Sequence, residues 1–205
     1  MNSAKKWLLP IAAIIFCGIC IWQIDLPLAV FFNSIAGIWP IRFFEIITDA
    51  GDSVWTLAPS LIITLVFWKL KRQIALQSLF MFASVAGSGI AVNILKITIC
   101  RYRPVKFFEN GLYGFDFFAF AIDFGRNSFP SGHSATAISA TVALGLIFPR
   151  FRILFWSAGA LVAFSRAAIC KHYLGDVIAG GLIGAYWAVL MWKLVAKRFT
   201  HNALQ

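Results

Sequence analysis

His172 and Asp176 stand four residues apart, so on a helix they share one face, and Arg166 lies six residues upstream of the histidine. His133 follows Pro130, Ser131 and Gly132 at what reads as a helix start, and Lys96 and Arg103 flank the end of an apolar run. Lys96, Arg103 and Arg166 supply three fixed cations. Arginine matches phosphate oxygens through its forked donors, and lysine adds a point charge. Free backbone N–H groups at a helix opening on Ser131-Gly132-His133 add an anion site. These groups suit a phosphoryl group. One histidine could attack phosphorus and form a phosphoenzyme, while the other protonates the leaving oxygen. Asp176 would hold the attacking imidazole in the right tautomer and stabilise its charge. No carboxylate cluster suits Mg²⁺ and no Cys/His grouping has zinc spacing. The expectation is therefore no metal and no cofactor, with the cations doing a metal's electrostatic task.

The elements that must position these residues follow from composition. Of 205 residues, 60% are hydrophobic and 13% charged, and the mean hydropathy is +0.82. A soluble domain is about 45–50% apolar and about 25% charged, so a soluble globular chain and a disordered one are both excluded. Six apolar runs approach the roughly 20 residues of a membrane span: Trp7 to Ile24, Val54 to Trp68, Gln73 to Leu95, Ser131 to Phe148, Ile153 to Cys170 and Leu174 to Leu194. Hydrocarbon leaves a single apolar run no way but the helix to satisfy its backbone. The expected fold is all-α, a bundle of six transmembrane helices in a single domain over residues 1–205. Small residues in the third and sixth runs (Ala83, Gly87, Gly89; Gly180, Gly181, Gly184) allow close helix contact. Lys5 and Lys6 before the first run give it a signal-peptide look. No small-x-small cleavage site follows, so an uncleaved first span is expected.

The net charge of +10 would suggest nucleic acid in a soluble protein. Here it sorts by membrane side. Lys5, Lys6, Lys69, Lys71, Arg72, Arg150, Arg152, Lys193, Lys197 and Arg198 fall on one side with no acidic residue. The other eight basic residues share the opposite side with all eight acidic ones. The first side is cytoplasmic by the positive-inside rule, which puts both termini inside and the candidate site outside. No nucleic-acid partner is expected; the surplus sets orientation. On the outer side, Asp25 to Ser53 reads as an amphipathic segment along the interface. Pro104 to Pro130 holds eight of the 21 phenylalanines. It is either a headgroup-level anchor or the wall of a lipid entrance. Cys100 and Cys170 would both face an oxidising side, where they form a disulfide or remain two free thiols. Cys17 and Cys20 read as core, and His201 as solvated.

A rival class is an anion channel or transporter, since buried cations can line a pathway. The cations cluster at one face, and spans one, two, four and six have no ionisable residue at their centres. That pattern argues against a pathway through the membrane.

At these residues the chain resembles the type 2 phosphatidic acid phosphatase (PAP2) superfamily. Lys96-Ile-Thr-Ile-Cys-Arg-Tyr-Arg103-Pro104 fits K-x6-R-P, Pro130-Ser131-Gly132-His133 fits P-S-G-H, and Ser165-Arg166 with His172 and Asp176 fits S-R-x5-H-x3-D. The motif region covers residues 96–176. The resemblance implies His172 as the nucleophile that becomes phosphohistidine, Asp176 as its orienting carboxylate and His133 as the general acid. It implies Lys96, Arg103, Arg166, Ser131 and Gly132 as phosphate ligands, with minor roles for Ser165 and Pro104. Similar family members act on phosphatidate, phosphatidylglycerophosphate, undecaprenyl pyrophosphate and lipid A. The expected partner is thus a phosphorylated membrane lipid in the bilayer, met at the outer leaflet of a bacterial inner membrane. A lipid A phosphatase is the foremost expectation, from a faint likeness in Glu109 to Phe118. Undecaprenyl pyrophosphate or phosphatidylglycerophosphate hydrolysis and phosphotransfer to another acceptor remain the alternatives.

Overall fold

The computed structural model describes residues 3–201, and the side chains of 11–195. His201 and the inner-side charges Lys5, Lys6, Lys197 and Arg198 lie outside the described side chains. Helix is the regular element throughout: α1 (Ser3–Ile19), a π-helical turn (Cys20–Ile24), α2 (Asp25–Ser34), α3 (Trp39–Ile47), α4 (Val54–Phe67), α5 (Arg72–Ile99), α6 (Pro104–Asn110), α7 (Gly132–Ile147), α8 (Arg152–Ala168) and α9 (Leu174–His201). Short 3₁₀ turns sit at Thr48–Gly51, Phe124–Arg126 and Pro149–Phe151. Among the described residues an isolated bridge between Arg101 and Phe115 is the extent of β pairing.

Among the described residues, five helical stretches are long and apolar enough to cross a membrane: Ile11–Ser34, Trp39–Phe67, Arg72–Ile99, Pro149–Ala168 and Leu174–Val195. The chain is thus an all-helical integral membrane protein. The expected fourth span is the short one, because α7 has 16 residues and reaches about 24 Å at 1.5 Å per residue. Helix α7 is the centre of the bundle, packed on α5, α8 and α9. Its neighbours, rather than lipid, cover much of its length. Two glycines of α9 make that packing close: a Cβ at Gly180 would collide with the Ser131 carbonyl, and one at Gly184 with that of Ala135. The apolar core lies below the site, where Phe80, Met81 and Val85 of α5 meet Ala140 and Ala143 of α7 and Ala188 of α9.

Two local departures matter for the site. The first helix does not stop at Ile24. It widens through the π turn and continues as α2 to Ser34, so Asp25 is buried in the helix and not at an outer edge. Helix α5 ends at Cys100, which takes a left-handed conformation (φ 44°) and reverses the chain.

Candidate active site

Three chain segments meet at one end of the bundle. After the reversal at Cys100, the backbone of Cys100 to Arg103 is pinned by the aromatic loop. Tyr102 N–H donates to the Gly114 carbonyl, Arg103 N–H to Gly125, Asp116 N–H to Cys100 and Ser128 N–H to Arg101. Pro104, buried, opens α6 and holds Arg103 extended before it. The second segment is Ser131, which caps α7 by accepting from the Ser134 N–H at 3.4 Å. Its own N–H donates to the Asp176 carbonyl at 2.9 Å, joining the second and third motifs. The third follows α8, where Cys170 takes a left-handed conformation (φ 53°) and the His172 N–H donates to the Arg166 carbonyl at 3.1 Å.

The cations converge as expected. Arg103 donates to the carbonyls of Lys171 (3.2 Å) and Asn127 (3.3 Å), with its guanidinium 3.9 Å over the Phe124 ring. Arg166 donates to Thr48 Oγ1 at 2.8 Å. Both side chains are buried, and the Nε–H of each has no hydrogen-bond partner in the protein. Lys96, in the last turn of α5, is close enough to repel both arginines. Burial first, and then the like charge of Arg166, pull the Arg103 guanidinium down to about 10, which still leaves it cationic at neutral pH. Such a cluster of desolvated like charges calls for a compensating anion.

His172 is 2% exposed and Asp176 fully buried. The His172 Nδ1 to Asp176 Oδ2 distance is 3.7 Å, an ion-pair distance rather than a hydrogen bond. Ser128 stands between them, donating to Asp176 Oδ2 at 2.5 Å with its oxygen 3.4 Å from His172 Nδ1. Nδ1 is thereby committed to the carboxylate side. Burial, reinforced by Arg103 and Lys96 and opposed by Asp176, holds the imidazole down to about 3. The ring is therefore neutral, the form in which a nitrogen lone pair can attack.

His133 is half-buried and lines a cleft of about 380 Å³ with Asp52, Leu57, Ala86, Asn93 and Gly132. It runs between α4, α5 and α7 beside the cation cluster, where a leaving group could lie.

The structure brings together Lys96, Arg103, Ser131, Gly132, His133, Arg166, His172 and Asp176. The Ser165 hydroxyl instead donates to the Val162 carbonyl of its own helix at 2.6 Å. Cys100 and Cys170 are free thiols, directed at the carbonyls of Ile97 and Ala29 respectively. Among the described residues no three of His, Cys, Asp and Glu are grouped to hold a metal ion. Sequence reasoning missed Ser128, Thr48, Asp25 and Arg101. A lone hydroxyl carries no signal of its own, whether two residues before a motif like Ser128 or far from any like Thr48, and the two charges were counted only by membrane side.

A family model described as the PAP2 superfamily matches residues 77–200. The lipid A 1-phosphatase of Rhizobium etli is 33% identical over 168 residues, covering 75% of this chain and 70% of that protein. The crystal structure of a transmembrane PAP2-type phosphatidylglycerolphosphate phosphatase from Bacillus subtilis superposes with a TM-score of 0.62 at 21% identity, over 92% of this chain and 96% of that one. Aquifex aeolicus LpxE superposes with a TM-score of 0.59 at 18% identity, over 84% and 96%. The two structural likenesses bear on the fold alone.

Proposed function

The chain belongs to the PAP2 superfamily, and from that premise we propose that it is a membrane lipid phosphatase working through a phosphohistidine on His172. The observation that carries this reading is the meeting of a neutral, buried His172 with three cations. Two of these keep a buried guanidinium N–H free of protein partners. Lys96, Arg103, Arg166 and the amides at Ser131 and Gly132 hold the phosphoryl oxygens. With Nδ1 turned to Ser128 and Asp176, Nε2 attacks phosphorus, and the P–O bond to the lipid breaks. His133 gives its proton to the departing oxygen. It then takes a proton from water, whose oxygen attacks the phosphohistidine to release inorganic phosphate and free His172. Asp176 balances the positive charge on the imidazole meanwhile. The cations take the electrostatic task a metal performs in other phosphatases, so the reaction runs without one.

We infer further that the whole chain acts as one domain of six spans in a bacterial inner membrane, with both ends cytoplasmic and the site on the periplasmic side. The partition of basic residues supports this orientation. The curated relative supports lipid A as substrate, with its 1-phosphate group the one removed.

Purified protein in detergent, given lipid A, phosphatidylglycerophosphate and undecaprenyl pyrophosphate side by side, tests the reading. Phosphate should be released fastest from lipid A, with EDTA present or absent, and not at all by His172→Ala. Activity surviving in His172→Ala would overturn the mechanism, inhibition by EDTA the metal-free chemistry, and preference for another lipid the substrate.

A further inference from the structure

Arg101 occupies a variable position inside the first motif and is none of its fixed residues, yet it is the largest fully buried side chain in the described structure. Its Nη1 meets Asp176 Oδ1 at 2.6 Å and its Nη2 meets Asp25 Oδ2 at 2.8 Å. The rings of Tyr113, Phe115 and Tyr173 close around it, the nearest centroid 4.4 Å from the guanidinium carbon. The carboxylates prevail over burial and hold the guanidinium above its ordinary range, firmly cationic.

Asp25 is held as tightly. Its Oδ1 accepts the Gly175 N–H at 2.8 Å. Gly175 has to be glycine here, because a Cβ would stand 2.8 Å from the Asp25 carboxylate and 2.6 Å from Ile21. The π turn just before Asp25 shifts the register of the first helix. Its Ile21 carbonyl accepts from the Tyr113 hydroxyl at 2.9 Å, and that hydroxyl accepts from Arg101 Nη2 at 3.3 Å. A single desolvated charge is costly in a membrane protein, and here three are buried side by side. Two carboxylates against one guanidinium leave one negative charge in excess next to the neutral His172.

We infer that Arg101 and Asp25 are positioning residues for catalysis. Arg101 clamps Asp176 by Oδ1, so that Oδ2 is presented to Ser128 and His172. Asp25 anchors Arg101 and keeps the buried cluster one negative charge in excess, matched to the positive charge His172 gains when it attacks phosphorus. The first membrane helix is in this way part of the catalytic apparatus, although it carries no motif residue. The inference rests on the reading of His172 as nucleophile.

Asp25→Asn is the direct test. The amide is isosteric, still accepts from Gly175 N–H, and leaves the Arg101–Asp176 pair in place. Steady-state kinetics on the full-length protein in detergent should show kcat lowered ten- to a hundredfold with KM within twofold, since neither residue touches the phosphate. Arg101→Gln sets two unpaired carboxylates together and should lose both thermal stability and kcat. The double variant Asp25→Asn with Arg101→Gln restores one excess negative charge. It should regain stability over Arg101→Gln while kcat stays at least tenfold down. Arg101→Lys should recover part of the kcat lost in Arg101→Gln. A folded Asp25→Asn with unchanged kcat, a loss confined to KM, or a double variant with full kcat would each overturn the inference. His172→Ala, assayed alongside, separates the two ideas. If it is inactive while Asp25→Asn is unimpaired, the positioning role alone falls; if it retains activity, the nucleophile assignment falls.

Discussion

Replacing Ser128 by alanine removes the hydroxyl that donates to Asp176 Oδ2 at 2.5 Å and stands 3.4 Å from His172 Nδ1. The direct His172–Asp176 distance is 3.7 Å, so in the resting site the carboxylate reaches the imidazole through this hydroxyl. A hydrogen bond to a charged, buried acceptor contributes about 1.5–3 kcal/mol. The same oxygen keeps one other donor, the Tyr173 N–H at 2.9 Å, which favours the lower part of that range. At about 1.4 kcal/mol per tenfold in rate, Ser128→Ala should lower kcat by roughly ten- to fortyfold. KM should stay within twofold, because the hydroxyl faces the carboxylate and not the phosphate cluster. Phosphate release from a lipid phosphate in detergent gives both constants, and a thermal unfolding scan shows that the variant is folded. The contrary outcome is informative. If Ser128 merely competes with His172 for Oδ2, its removal lets the carboxylate close on the imidazole. An unchanged or raised kcat would then refute the relay.

His133→Ala should cost about 10²–10⁴ in kcat on a lipid phosphate, the usual range for a lost general acid. The loss should shrink markedly on an aryl phosphate whose leaving group needs no proton, and an equal loss on both substrates would deny it that role. Because burial holds His172 down to about 3, the nucleophile stays neutral well below the ordinary histidine range near 6.5. The acid limb of kcat/KM should accordingly lie below pH 5, and a limb at 6.5 would contradict this environment. The same depression has a signed effect on stability. A folded-state value below the unfolded one gives stability that is whole above about pH 6.5 and is lost as pH falls toward 3. Thermal midpoints in detergent should fall across that window in the parent protein and less steeply in His172→Ala.

The groups that stood out in the sequence did so for one reason. In so apolar a chain an ionisable side chain is conspicuous, and Lys96, Arg103, His133, Arg166, His172 and Asp176 lie at the ends of apolar runs that the structure confirms as helices. The limits of α4 and α7 were legible in the same way, from the polarity change at Ser53 and Ser131. What stayed hidden depends on chain geometry. Asp25 looked like the polar end of the first span because no sequence pattern reveals a π turn, nor that Arg101 will turn back to neutralise it after the left-handed Cys100. Thr48 and Ser128 are small hydroxyls whose importance comes from what faces them. That α7 is a short helix of 16 residues covered by α5, α8 and α9 was hidden in the same way, because an apolar run does not show which neighbours will shield it.

The direct test of the phosphohistidine is to mix the protein with a ³²P-labelled lipid phosphate, quench in alkali within the first turnovers, and locate the label by mass spectrometry of peptides. The expected result is an acid-labile, base-stable phosphate on His172 that appears before free phosphate and is absent from His172→Ala. Label on another residue, or turnover with no protein-bound phosphate at times shorter than one catalytic cycle, would contradict it.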